Sequence, residues 1–227
     1  MDESGHPILE AEITPIDSKP IRGRFILDLG SGAGLALYSP FVADNRLLEG
    51  TTKTIRAIGV GGAGGQSNGR IGRVAELKIG NFKILNPTTL FSEDKSGAFA
   101  SSELAGNIGQ RIAGKFRLFL DYSNQRIILE STKSFPEPFD QAVSGIALRA
   151  EEKDFKTFRI TDVLENSPAA EAGLLKDDVI LNVDGKPHTE LTITRIQELF
   201  ERPNKYKVTI RRGERTLEVT LVPRRMV

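Results

Sequence analysis

Short apolar runs that alternate with polar residues fill the first 130 positions, separated by Gly, Pro and Asn. They read "ILEAEIT", "RFILDL", "LALYS", "TIRAIGV", "RVAELKIG", "FKILNP", "FRLFLDY" and "RIILE". Alternation over a few residues is the mark of half-buried strands, so this part is predicted to be mainly β. Helix signals are brief. In "SPFVADNRLL", Ser39 is placed to cap and Pro40 suits a first helical turn, and "GNIGQRIAGKF" reads as one or two turns leading into a strand.

From Leu129 to Gly145 the pattern loses its period and carries Pro136 and Pro138, which predicts a linker or domain edge, with domains over 1–135 and 140–227. Beyond it, "GIALRA", "FRITDVLE", "DVILNVDG", "YKVTIRR" and "TLEVTLVP" read as strands. "SPAAEAG" and "TRIQELFERP" read as helices, with Thr194 and Gln197 at capping-box spacing and Ile196, Leu199 and Phe200 forming a core-facing stripe. "VDGK" and "RRGE" are hairpin turns, and Asp177 and Asp178 read as a solvated turn before a buried strand.

Composition narrows the chemistry. The 227 residues carry a net charge of +1, so no overall field draws the chain to nucleic acid or an anionic membrane. There is no cysteine, and His6 and His188 stand far apart in loop-like sequence, so neither a metal site nor a cofactor is expected. No apolar run approaches the roughly 18 residues of a membrane span. The acidic start "MDESGHP" does not read as a signal peptide.

One stretch admits two chemistries. "ILDLGSGAG" could be the phosphate or cofactor loop of a SAM-dependent methyltransferase, but such a loop leads directly into a helix and needs alternating β and α elements around it. Here the glycines lead into "LALYSP", and Glu49, at the distance expected of a ribose ligand, follows a helix instead of a strand. Gly59, Gly61 and Gly64 match G-x-G-x-x-G formally but open no helix either.

The order "FILDLGS", then "IGVGGAGG", then "GNIG" followed by "FRLFLDYSNQRIIL" resembles a retropepsin-like aspartic protease domain. That resemblance implies a closed β-barrel of the acid-protease fold. It also implies an aspartic endopeptidase with Asp28 as one catalytic carboxylate, Gly30 allowing the tight turn and Ser31 bonding the carboxylate. A flap over peptide or unfolded-protein substrate would be built from Gly59, Val60, Gly61 and Gly62. Two adjacent carboxylates share a proton so that one can activate water. The second aspartate would come from a homodimer partner or a second protease-like half. Leu29 stands where that family has Thr or Ser. Its side chain lacks the hydroxyl that ties the two loops together, which keeps open a noncatalytic, peptide-binding scaffold with a degenerate protease domain.

Residues 142–227 resemble a PDZ domain of the bacterial-protease type, a β-barrel with two helices, on the strength of "SGIALRA" and "VLENSPAAEAGLLKDDVILNVDGK". The resemblance implies that Gly145, Ile146, Ala147 and Leu148 form the loop that receives a peptide's C-terminal carboxylate, with the next strand pairing with the peptide. It also implies a periplasmic, cell-surface or secreted location.

Overall fold

The computed structural model describes residues 5–49, 51, 53–59, 61, 62, 65–139, 141–151, 153 and 155–227. The chain folds into two compact units: one holds the described residues of 5–57 and 61–139 with Val227, the other those of 58–60 and 140–226.

The first unit opens on a hairpin of β1 (Ile8–Thr14) and β2 (Ile21–Leu27), in register from Ile8 opposite Ile26 to Ile13 opposite Ile21. Short strands follow: β3 (Leu35–Leu37), β4 (Ile55–Arg56), β5 (Gly61–Gly62), β6 (Gly65–Gln66) and β7 (Gly69–Arg73). Then come β8 (Glu76–Ile79), β9 (Phe82–Leu85), β10 (Thr88–Ser92) and β11 (Gly106–Ile108). These form one nine-stranded sheet in the order β4-β7-β10-β3-β11-β2-β1-β8-β9, with β5 and β6 pairing separately as a small hairpin. At its centre β3 runs parallel to β10, and β11 runs parallel to β2. Strands covered on both faces lose alternation, and β3 and β11 are buried at every position.

The expected closed barrel is not formed. The sheet path ends at β4 on one side and β9 on the other, with no ladder joining them among the described residues. β12 (Phe116–Asp121) and β13 (Arg126–Ser131) pair with each other and not with the nine-stranded sheet. They lay Leu118, Leu120, Ile127 and Leu129 on the core.

α1 (Ser39–Asp44) has Pro40 in its first turn as predicted, but Tyr38 is its cap residue. The Ser39 hydroxyl donates to the carbonyls of Asp94 (2.6 Å) and Phe99 (3.1 Å) instead of capping. α2 (Gln110–Ala113) leads into β12. The Pro-containing stretch read as a linker is packed over residues 134–139. Lys115 Nζ donates to the carbonyls of Ser134 (3.0 Å) and Glu137 (2.6 Å), and Arg73 Nη2 donates to that of Phe139 (2.6 Å). Phe135 meets the rings of Phe82 and Phe116, and Phe139 lies in the core. Two prolines remove periodicity without removing the aromatic anchors.

The second unit contains β14 (Ile146–Ala150), β15 (Phe158–Val163), α3 (Pro168–Glu171), β16 (Val179–Val183) and β17 (Lys186–Pro187). α4 (Ile193–Phe200), β18 (Tyr206–Arg212) and β19 (Arg215–Leu221) complete it. The sheet order is β14-β15-β16-β18-β19, with β17 on β16. Ser167 caps α3, accepting from the Ala170 amide at 3.3 Å, and Pro168 follows at the first helical position. Thr192, not Thr194, caps α4, accepting from the Arg195 amide at 3.1 Å. Ile196 and Phe200 face the core as the stripe predicted. The "VDGK" turn needs positive φ twice, which Asp184 (51°) and Gly185 (83°) supply.

Asp178 departs most from its prediction. It is fully buried, accepting from Arg212 Nε and Nη2 at 2.7 Å each and from the Leu175 amide at 2.9 Å. This charge pair raises the Arg212 pKa, first through the hydrogen bond to the carboxylate. Asp177 alone is the exposed turn residue, with φ at 73°.

Candidate functional site

The Asp28 loop leaves β2 and enters β3, strand to strand, which removes the helix that a methyltransferase loop requires. Asp28 Oδ1 accepts from the amides of Gly30 (2.9 Å) and Ser31 (3.1 Å), and Oδ2 accepts from Asn107 Nδ2 (3.2 Å). This is an Asx-type turn, in which a carboxylate satisfies the amides that its own loop leaves open. Ser31 joins through its amide, while its hydroxyl faces the Ala33 amide at 3.4 Å. No second carboxylate bonds to Asp28 among the described residues. Leu29 points to solvent and is 50% exposed.

Asn107 was not singled out by sequence reading, though it sits within "GNIG". It is buried, and its Oδ1 has no hydrogen-bond partner among the described residues. Tyr38 is buried too; its phenol pKa is raised first by that burial, then by the charge of Asp28. Below about pH 10 both folded and unfolded chains keep this proton. Above it the unfolded chain releases the proton first, so stability is lost as pH rises. Thermal melts at pH 8 and pH 10.5 are therefore expected to show a smaller alkaline drop for Tyr38→Phe than for the parent. Equal drops would refute the coupling.

Of the flap residues, Gly59 has φ at 64°, and Gly61 and Gly62 form β5, opposite Gln66 and Gly65. Val60 lies outside the described residues.

In the second unit the residues Gly145–Leu148 form the entrance to β14. Gly145 has φ at 84°, and an added Cβ would lie 2.2 Å from the Cβ and Oγ of the fully buried Ser167, so only glycine fits. The Ser144 carbonyl accepts from the Ala169 amide (2.9 Å), and the Gly145 carbonyl accepts from the Leu164 amide (2.8 Å). In a trans peptide the N–H points opposite to the preceding C=O. Each carbonyl is engaged by the protein, so the amides of Gly145 and Ile146 point away from the groups that hold those carbonyls, and successive amides placed this way can receive an anion. The Ser144 hydroxyl is a weak local acceptor, 3.5 Å from the Ile146 amide.

Among the described residues β14 is laddered to β15 alone, and α4 packs alongside it. Ile146, Leu148 and Ala150 lie partly buried on the core, as do Ile193 and Leu199 of α4. Ala147 and Arg149 take the opposite face of the strand. Ala147 is buried, with Gly59 against it, while a strand with one described ladder and an apolar flank toward α4 is a place where an extended segment can add.

Comparison with known proteins finds a domain family in this second unit. The PDZ domain family matches residues 159–212. A probable CtpA-like serine protease of Staphylococcus haemolyticus is 29% identical over 120 residues, covering 52% of this chain and 24% of that protein. Serine protease HTRA1 of Xenopus laevis is 31% identical over 65 residues, covering 29% of this chain and 14% of that protein. A crystal structure of the HtrA3 PDZ domain bound to a phage-derived ligand (FGRWV) is 22% identical, with a TM-score of 0.33, covering 37% of this chain and 84% of that one. The chain thus spans a quarter or less of the length of the two serine proteases.

The expectation of an aspartic endopeptidase is overturned. The relatives are named serine proteases, and Asp28 is held by N–H donors of its own unit. The retropepsin-like resemblance is not supported, and the need for a second aspartate-bearing half falls with it.

Proposed function

We propose that the chain, which carries a PDZ domain, is a peptide-binding protein that holds the C-terminal end of a partner along β14, with its first unit serving as a noncatalytic scaffold. The observation that carries this reading is the engagement of the Ser144 and Gly145 carbonyls by the Ala169 and Leu164 amides, which leaves the next two amides facing away from those groups at the head of a strand laddered, among the described residues, to β15 alone. A carboxylate seated there takes charge-assisted hydrogen bonds, and the peptide backbone extends the sheet by one strand. Its last side chain rests in the apolar strip of Ile146 and Leu148. No helix among the described residues is long and apolar enough to cross a membrane. A periplasmic or cell-surface location is part of this proposal.

The test needs no mutation. A fluorescein-labelled peptide ending in Ala-Leu-Ala-Val is titrated with the protein as the free acid and as the C-terminal amide. The free acid is expected to bind at least about tenfold more tightly, the value of one to two charge-assisted bonds. Equal binding of the two, or none by either, refutes the reading.

A further inference from the structure

Within this peptide-binding reading, on which the inference rests, one charge along the edge strand lacks a partner. Arg149 is exposed on β14, and among the described residues its guanidinium makes no hydrogen bond or ion pair. Its surroundings do not neutralise it. Arg159, directly opposite on β15, is cationic as well and is already bonded to Glu151 through Nε (2.9 Å) and Nη2. Asp162, opposite Ala147, is itself partnered. Among the described residues the edge therefore carries a positive charge without a counter-charge, beside the position of an added strand.

Strand parity then fixes which ligand side chains meet it. Residues directly opposite in a β-pair place their side chains on the same face. A peptide whose last residue sits on the Ile146, Leu148 and Ala150 face puts its side chains at −1 and −3 on the face of Ala147 and Arg149. We infer that this groove selects C-terminal segments with an acidic residue at −1 or −3, and that Arg149 is the residue that sets this preference. An exposed ion pair of this kind shifts affinity by about two- to fivefold and is weakened by salt.

Three labelled peptides test it by fluorescence polarisation at low salt: endings Glu-Leu-Glu-Val, Ala-Leu-Ala-Val and Lys-Leu-Lys-Val. The parent protein is expected to bind the Glu peptide about fivefold more tightly than the Lys peptide, with the Ala peptide between them. The gap should narrow at 0.5 M salt. Arg149→Ala should bring the Glu and Lys peptides together, and Arg149→Glu should reverse their order. Equal affinities in the parent, with all three bound, overturn the charge selection and leave peptide binding standing. A preference unchanged in Arg149→Glu overturns the assignment to Arg149. Failure of all three peptides to bind overturns the peptide-binding reading and this inference with it.

Discussion

Replacing Arg212 with alanine is expected to destabilise the second unit by about 3–5 kcal/mol, because the Asp178 carboxylate then stays buried with no counter-charge. The side chain of Asp178 is inaccessible to solvent, and two of its three hydrogen bonds come from the Arg212 guanidinium. The same guanidinium also donates to the Gly173 carbonyl at 2.7 Å, joining the turn before β16 to the end of β18. Much of the loss reflects a stranded charge, not a missing attraction, so the double variant Asp178→Asn with Arg212→Ala should be more stable than Arg212→Ala alone. Urea unfolding monitored by circular dichroism measures both. An Arg212→Ala protein within 0.5 kcal/mol of the parent would show that water reaches the carboxylate.

The second large effect is expected at Lys115. The residue is 7% exposed, and its ammonium bonds to the carbonyls of Ser134 and Glu137 and lies 4.7 Å from the Phe139 ring centroid. Burial lowers its pKa, yet the carbonyls give the charge a use: they are the acceptors that an irregular, Pro-containing segment leaves open. Lys115→Met keeps the apolar stem and removes the charge. It is expected to cost the first unit about 2–3 kcal/mol, with a Tm lower by roughly 5–10 °C. Limited proteolysis should then cut first between residues 132 and 139. Unchanged melting and unchanged cleavage would show that Phe135 and Phe139 hold the segment without help.

What the sequence disclosed follows from how each element is solvated. β1, β2, β14 and β18 have one covered face, so they alternate, and their runs are readable. β10 and β11 lie inside the sheet, and "TTLFS" and "GNI" show no alternation because both faces are covered, so the first gives no strand signal and the second reads as part of a helical turn. The Asp178 pair was hidden because its partner comes 34 positions later, and an acidic pair before an apolar run looks like any solvated turn. At the candidate site Gly145 was legible as a glycine beside a strand. The reason it must be glycine, the buried Ser167 against it, was not. The Asp28 loop misled for the converse reason: Asp-x-Gly suits a catalytic turn, and it equally suits a carboxylate that closes its own turn.

The parallel pairings at the centre of the first unit also bear on how the chain acquires its structure. Phe25 is laddered to Gly106 and Leu35 to Thr89, whereas β18 and β19 meet across a two-residue turn. Loops of that length must close before any contact rewards them, so ladders of high sequence separation form slowly. On a ribosome, β2 and β3 emerge long before β10 and β11, and the middle of the nine-stranded sheet must wait until residue 108 has left the exit tunnel.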